Sequence, residues 1–317
     1  MIPCYNEEEN ARAIYEAVRD ELRAACPQYD YEILFIDNKS KDGTRAIIEQ
    51  ICAEDKHVKA IFNTKNFGQF NSPYYGITQT SGDCTITICA DFQDPVEMIP
   101  QFVKEWENGY KIVIGKKTRS KENAVVYFLR GCYYKLLKKM SSVEMIEQFT
   151  GFGLCDKSFV DTLRDLHDPI PFIRGIVAEL GPERKEIEYE QPRRRAGKTH
   201  NNFMTLYDAA MLSFTSYTKF GMRMASFLGF LFAGVSLLAA FVMLIMKLCM
   251  WDRFAAGYAP ILIAVFFIGG VQMCFLGFLG EYIMNMNARL MNRPLVVEER
   301  RINFDAAEEE KKSEKAS

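Results

Sequence analysis

Two long runs without a charged side chain constrain the fold more than any other feature of this sequence. Residues 224–246 (23 residues) and 254–280 (27 residues) contain no Asp, Glu, Lys or Arg, and each exceeds the ~20 residues an α-helix needs to cross a bilayer core. A buried helix of a water-soluble domain keeps a polar stripe, whereas Ala225 to Met246 is apolar on every face. The runs predict two transmembrane helices, about 224–246 and 257–280. The link from Lys247 to Tyr258 is short, so the helices form a hairpin with both chain ends on one side. Lys219, Arg223, Arg289, Arg293, Arg300 and Arg301 flank the pair, against Lys247 and Arg253 in the loop. That excess of positive charge orients a multi-pass protein of the plasma (inner) membrane with its bulk and both termini in the cytoplasm.

The remainder is polar enough to fold in water. Over 317 residues Lys plus Arg number 39 and Asp plus Glu 41, a net charge of −2, so no whole-chain basic field points to nucleic acid. Nine cysteines without a Cys-x-x-Cys pair read as reduced thiols, and His57, His167 and His200 lack zinc-ligand spacing. Four regions follow: a water-soluble domain over 1–200, an amphipathic interfacial helix over 201–222, the membrane hairpin over 223–285, and a cytoplasmic tail over 286–317. Phe203, Leu206, Tyr207, Met211, Leu212 and Phe214 give the second region its apolar side. Glu308, Glu309, Glu310 and Glu314 among lysines predict a disordered end to the fourth. Gly269, Gly270, Gly277 and Gly280 permit close helix contact, within the hairpin or between copies in a homo-oligomer.

Residues 1–200 alternate helical and extended patterns, which predicts an α/β domain with a largely parallel sheet. Ala11, Ile14, Val18 and Leu22 share one helical face before Pro27, and Ile47, Ile48 and Ile51 share another. Apolar runs at Ile33 to Ile36, Val58 to Phe62, Thr85 to Ala90 and Lys111 to Ile114 read as strands, and Pro95 to Asn108 and Asn123 to Met140 as helices. The first strand is anomalous, since only Met1 and Ile2 precede Pro3. Polar residues follow two strand ends directly, so Asp37, Asn38, Asp91 and Gln93 converge on the rim where open α/β sheets bind ligands.

The stretch from Asp91 to Glu97 carries the most chemistry. Carboxylate and carbonyl oxygens at a strand end suit a hard divalent cation that keeps waters and shares a diphosphate, which selects Asp91 and Gln93. Asp94 before Pro95, with Glu97 three residues on, matches a helix cap and capping box instead. The sequence contains neither a P-loop nor a Gly-x-Gly-x-x-Gly motif.

Four motifs occur in order: Pro3-Cys4-Tyr5-Asn6-Glu7, Ile36-Asp37-Asn38 through Asp42-Gly43-Thr44, Asn66-Phe67-Gly68, and Ala90-Asp91-Phe92-Gln93-Asp94-Pro95. With Leu279-Gly280-Glu281-Tyr282 leading into Asn292-Arg293-Pro294, the chain resembles glycosyltransferase family 2 along nearly its whole length, and within it the polyprenyl-phosphate glycosyltransferase group. The resemblance implies a GT-A fold that takes a UDP- or GDP-linked nucleotide sugar and moves the sugar to a polyprenyl (undecaprenyl) phosphate on the cytoplasmic leaflet. Carried over by position, it implies Pro3, Tyr5 and Glu7 at the base and ribose with Ile36 and Asn38 beside them. It implies Asp91 and Gln93 on Mg²⁺ or Mn²⁺ at the diphosphate, and Lys117 and Arg194 against phosphates. Arg119, Arg130, Arg174 and Lys198 become candidates for the acceptor phosphate, and Asp156 for orienting acceptor or sugar. A phosphate monoester is largely anionic near neutral pH, its second pKa being about 6, so positioning and charge neutralisation matter more than a base. One in-line displacement with inversion follows.

Two positions depart from that pattern. Many relatives place an acid where this chain has Cys89, and Gly151 and Gly153 stand in a segment that many read Asp-Phe-Arg-Leu, with Asp156 retained. The glycines suggest room for another sugar or a different acceptor approach. A processive polysaccharide synthase of the same fold normally adds more membrane helices and a Gln-x-x-Arg-Trp motif, which this sequence lacks. A non-catalytic membrane scaffold would show itself by loss of metal-dependent nucleotide binding.

Overall fold

The computed structural model describes residues 1–119, 146, 148–181, 183–192, 194–195, 203–217, 227–232 with short stretches to 249, 258–291 and 293–304. In chain order the elements are β1 (Ile2–Cys4), α1 (Ala11–Ala25), β2 (Ile33–Asp37), α2 (Thr44–Glu54), β3 (Val58–Asn63), α3 (Gly68–Thr78) and β4 (Cys84–Thr87). A 3₁₀ turn (Val96–Met98), α4 (Ile99–Glu107), β5 (Ile112–Arg119), β6 (Phe149–Asp156), α5 (Lys157–Asp165), α6 (Ile173–Leu180) and β7 (Lys185–Glu190) complete the domain. Then come α7 (Phe203–Tyr217), α8 (Tyr258–Leu290) and β8 (Glu298–Ile302).

β1, β2 and β3 run parallel, with Ile2 opposite Phe35 and Ile33 opposite Val58. β6 lies antiparallel between β4 and β5, and β7 parallel to β5. The two groups meet at Met1, whose nitrogen donates to Ile86 O (2.8 Å) and whose carbonyl accepts from Ile88 N (3.1 Å). The order is therefore β8-β3-β2-β1-β4-β6-β5-β7, and the short β1 is central. The sheet is mixed, which corrects the expectation of a largely parallel one. β6 returns beside its predecessor β5, and β8 enters from the far end of an apolar helix; both arrive antiparallel, without a crossover between parallel neighbours.

Strand alternation divides the core between two faces. Phe35, Ala60 and Phe62 pack with Ile14, Val18, Ile48 and Ile51 from α1 and α2. Leu34, Ile36 and Ile61 pack with Tyr74 and Ile77 of α3, Phe159 and Leu163 of α5 and Ile176 of α6. α3 contains Pro73 and Gly76, which hide it from propensity rules. Gly76 is required there, because a Cβ would lie 2.9 Å from Met1 Sδ and 3.0 Å from Ile36 Cγ2.

α8 has 33 residues, and its part Phe267–Leu290 is the one helix among the described residues long and apolar enough to cross a membrane, with none of that stretch buried. Much of 224–246 lies outside the described residues, as do 120–145, including the predicted helix Asn123 to Met140. α7 occupies the predicted interfacial segment and packs on α8: Asn285 Nδ2 donates to Thr215 Oγ1 (2.8 Å) and the Phe214 and Phe278 rings lie 6.4 Å apart. The region read as a tail holds β8, paired with β3 from Ala60 opposite Ile302 to Asn63 opposite Glu298. Residues 305–317 lie outside the described residues.

The two glycines of β6 have structural duties. Gly151 has φ +105°, and a Cβ on Gly153 would lie 2.4 Å from Val113 O in the neighbouring strand. Gly153 permits close strand approach, so it does not open room for ligand. Gly153→Ala is expected to cost about 2 kcal/mol, a fall in Tm of roughly 4–8 °C for a domain of this size, measured by thermal unfolding of the full chain in detergent.

Candidate active site

Three loops leave the carboxyl ends of β1, β2 and β4, and each contains a non-glycine residue in the left-handed region: Asn6 (φ 56°), Lys39 (φ 65°) and Phe92 (φ 60°). Such a conformation is costly for a bulky residue and persists only where its surroundings impose it. The first two loops lock together. Asn6 N donates to Ser40 Oγ (2.9 Å), Glu7 N to Thr44 Oγ1 (2.8 Å), Lys41 N to Asn6 Oδ1 (2.8 Å) and Gly43 N to Glu8 Oε2 (2.7 Å). Pro3, Tyr5 and Glu7 thus stand partly exposed on a fixed rim.

Beneath them Asp37 is fully buried, accepting from Ser40 N and from Arg45 Nε (2.9 Å). Burial pushes its carboxyl above the usual range against those partners. Asn38 is saturated: Oδ1 accepts from Asn63 Nδ2 (3.2 Å) and Phe67 N (2.8 Å), and Nδ2 donates to Asn66 Oδ1 (2.9 Å) and Gly68 O (3.1 Å). Its side chain braces two loops. The Ile36 side chain is 0 % exposed in the core, so the expectation that Ile36 lines a ligand site is corrected: it supports the rim from below.

Asp91 is the focus of the third loop. Its carboxylate pairs with Arg194 (2.8 Å) and accepts from Gln93 N (3.1 Å), while its carbonyl accepts from Arg195 N (3.3 Å). The Arg195 guanidinium covers the Phe92 ring at 5.1 Å. The predicted cap at Asp94 is also corrected, since Pro95 holds the cap position with no side-chain hydrogen bond. Asp94 closes the loop instead, accepting from Cys89 N (3.0 Å) and the Tyr189 hydroxyl (3.2 Å). Burial raises its pKa against both bonds. Cys89 reaches the surface; desolvation by its neighbours, then Asp94 and Asp91, pushes its thiol up.

β5 and β7 bring Lys117 to the same neighbourhood, opposite Tyr189, with its ammonium on Gln191 Oε1 (2.8 Å). Arg119 ends β5 opposite Glu190. Arg174 stands apart, over the Phe172 ring at 5.1 Å where α3, α6 and α7 meet. Arg130 and Lys198 lie outside the described residues. Sequence reasoning missed Tyr189 and Arg195; a tyrosine in a strand and the third arginine of a basic run carry no signal separating them from packing or solvation.

Asp156 does not belong to this group. It sits opposite Cys84, the first residue of β4, whereas Asp91 lies beyond the other end of that strand. Its carboxylate caps α5 through Ser158 N (3.0 Å) and accepts from Trp106 Nε1 (2.8 Å) and Lys111 Nζ (3.2 Å). The expectation that Asp156 orients acceptor or sugar is therefore corrected: it is a helix cap at the opposite end of the sheet. Burial opposes its charge, but the hydrogen bonds from Ser158, Trp106 and Lys111 prevail and hold the carboxyl at about 2.

The Glycosyl transferase family 2 model matches residues 1–164, and this chain belongs to that family: it is a glycosyltransferase with a GT-A fold built on a mixed sheet. The chain is 32% identical over 295 residues to the SfII prophage-derived bactoprenol glucosyl transferase of Shigella flexneri, covering 93% of this chain and 94% of that one. It is 31% identical to the putative glycosyltransferase CsbB of Bacillus subtilis (strain 168), covering 93% and 88%. Among solved structures, glucosyl-3-phosphoglycerate synthase from Mycobacterium tuberculosis in complex with Mn²⁺, UDP and glucosyl-3-phosphoglycerate overlaps 68% of this chain and 76% of its own, at 17% identity and TM-score 0.44.

Asp156→Ala is expected to destabilise the domain by about 1–2 kcal/mol, as loss of a cap does, while nucleotide-sugar affinity stays within about twofold. Because its pKa is depressed, the carboxylate stabilises the fold above the ordinary carboxylate pKa of about 3.9 and loses that effect as pH falls towards about 2. The gap in Tm between variant and wild type should close over that window in acid scans.

Proposed function

We propose that the chain transfers a sugar from a UDP- or GDP-linked donor to a polyprenyl (undecaprenyl) phosphate at the cytoplasmic leaflet. The observation that carries this reading is the Asp91–Arg194 pair. A carboxylate suited to a cation meets a guanidinium suited to a phosphate, on a segment that leads within ten residues into α7. Relatives named bactoprenol glucosyl transferases support the acceptor class. Among the described residues no three His, Cys, Asp or Glu side chains gather into a metal cluster, so the donor set fits a cation shared with a diphosphate and water. Mg²⁺ binds through one or two carboxylates plus phosphates. Asp91 and Gln93 would hold it or Mn²⁺, which would supply charge for the leaving diphosphate.

Pro3, Tyr5 and Glu7 hold the nucleoside on the rim. Lys117 and Arg194 neutralise the diphosphate, and Arg174, Arg119, Arg130 and Lys198 are the cations assigned to the acceptor. An acceptor phosphate oxygen forms a bond to the anomeric carbon as that carbon's bond to the diphosphate breaks, the electron pair leaving with the diphosphate and the configuration inverting. The substrate's own charge makes it the nucleophile, so the protein's task is alignment and electrostatic stabilisation.

The two-helix hairpin gains support from connectivity. Arg194 and Arg195 contact the Asp91 loop before the apolar region, and β8 pairs with β3 after it. A chain that leaves and rejoins one sheet crosses a membrane an even number of times. If Phe267–Leu290 crosses once, 224–246 supplies the other crossing.

Purified protein in detergent with Mg²⁺, undecaprenyl phosphate and radiolabelled UDP- and GDP-sugars should move label from one donor into the organic phase. Asp91→Ala should lower the rate at least about 100-fold; transfer to water or to a growing polysaccharide, with none to lipid, would overturn the acceptor. Arg194→Ala leaves Asp91 without its cation, so its Tm should fall in EDTA and recover with Mn²⁺ by more than the wild type gains. Equal recovery in both proteins would separate Asp91 from the metal.

A further inference from the structure

A second basic pocket, of about 350 Å³, lies where α8 ends against the loop after β3. Lys65 and Arg293 supply its charge, Asn66 and Asn71 its amides, and Met291 and Ile170 part of an apolar wall. Neither cation forms an ion pair among the described residues, and no described lining residue is acidic. The nearest acid along the chain, Asp168, is engaged by Arg289 (2.8 Å) and by Ile170 N (3.0 Å). Asn66 Oδ1 accepts from Asn38 Nδ2 (2.9 Å) and Gly68 N (2.8 Å), which fixes the amide and turns its Nδ2 donors away from those bonds.

Depth and distance decide what such a pocket receives. It sits at the end of the stretch Phe267–Leu290, long enough to cross a bilayer; if that stretch crosses, the pocket lies on the side where phosphate headgroups meet water. Lys65 follows β3 and Asp91 follows β4, three strand spacings apart in the order β3-β2-β1-β4, or about 14 Å. A phosphate held there lies apart from the Asp91 loop.

We propose that this pocket binds the phosphate headgroup of an acidic membrane phospholipid, separately from donor and acceptor. The two cations and the Asn66 donors take the phosphate, and Met291 and Ile170 take the glycerol and first acyl carbons. Asn66 and Phe67 also hold Asn38, so an occupied pocket braces the loop beside the nucleotide rim from the membrane side. This inference rests on membrane insertion of α8 and not on the identity of the sugar or acceptor.

The test is native mass spectrometry of the full chain in detergent, titrated with phosphatidylglycerol or phosphatidylcholine. Wild type should retain phosphatidylglycerol in preference, and Lys65→Gln with Arg293→Gln should weaken retention roughly 30-fold, the effect of about two basic residues near an anionic surface. Asn71→Glu, which adds a carboxylate and leaves both cations, should lower it as well, and Arg293→Lys should keep most of it. Asp91→Ala should leave it unchanged, so failure of the proposed transfer reaction and failure of this site read out separately. Equal retention of both lipids, or unchanged retention in the double variant and Asn71→Glu, overturns the proposal. Displacement by millimolar inorganic phosphate would make it a free-phosphate site, and displacement by undecaprenyl phosphate at a tenth of the phosphatidylglycerol concentration would give it to the acceptor; each overturns the phospholipid assignment.

Discussion

The Asp91–Arg194 ion pair ties the centre of the sheet to the segment that leads to the membrane. The Asp91 side chain is only 7% exposed, and a carboxylate so placed requires a counter-charge, because desolvation penalises it more than packing rewards it. Arg194 supplies that charge from outside the strand, and Arg195 adds a backbone bond and a cation–π contact on Phe92. The loop therefore keeps a left-handed phenylalanine that would otherwise relax. Asp94 fixes its other side through Cys89 and Tyr189.

A second charge network secures the opposite half of the sheet. Asp37, Arg45 and Glu299 run from the end of β2 through α2 to β8, with Arg45 2.9 Å from each carboxylate. Arg45 also lies over the Phe62 ring at 5.1 Å. β8 is thus held by backbone pairing and by charge, and it belongs to the chain that has just left α8. The Arg194–Arg195 segment before the apolar region and β8 after it both contact the sheet. α8 leads into the strand on the β3 edge, and in the loop after β3 Asn66 and Phe67 meet Asn38.

Much of this was legible in the sequence where period and punctuation agree. α1 declared itself by Ala11, Ile14 and Val18 before Pro27, β2 and β3 by short apolar runs, and the rim by polar residues directly after them. α3 was not legible, because Gly68, Pro73 and Gly76 contradict helix propensity, and the need for Gly76 shows only in the nearness of Met1 and Ile36. β8 was hidden for a different reason: Glu298 to Ile302 is mostly charged, as an edge strand facing water can be. At the site, Asp91 and Arg194 meet in the structure, whereas Asp156 and Ile36 show the limit of motif reasoning. An acid after a strand and an apolar residue within one look alike in sequence whether they face a ligand, a helix end or the core.

The same limit bears on Cys89. It precedes Asp91 by two residues, with the chain turning between them at Ala90. Desolvation and the neighbouring Asp94 and Asp91 raise the pKa of this surface thiol. A carboxylate at that position would add a further negative group beside Asp91 and Asp94, and like charges repel. The thiol relieves that repulsion and leaves Arg194 as the cation matched to Asp91. Under the proposed reaction, a cation held by Asp91 and Gln93 would meet less negative charge from the protein than at a two-carboxylate site, and its affinity would depend more strongly on bound nucleotide.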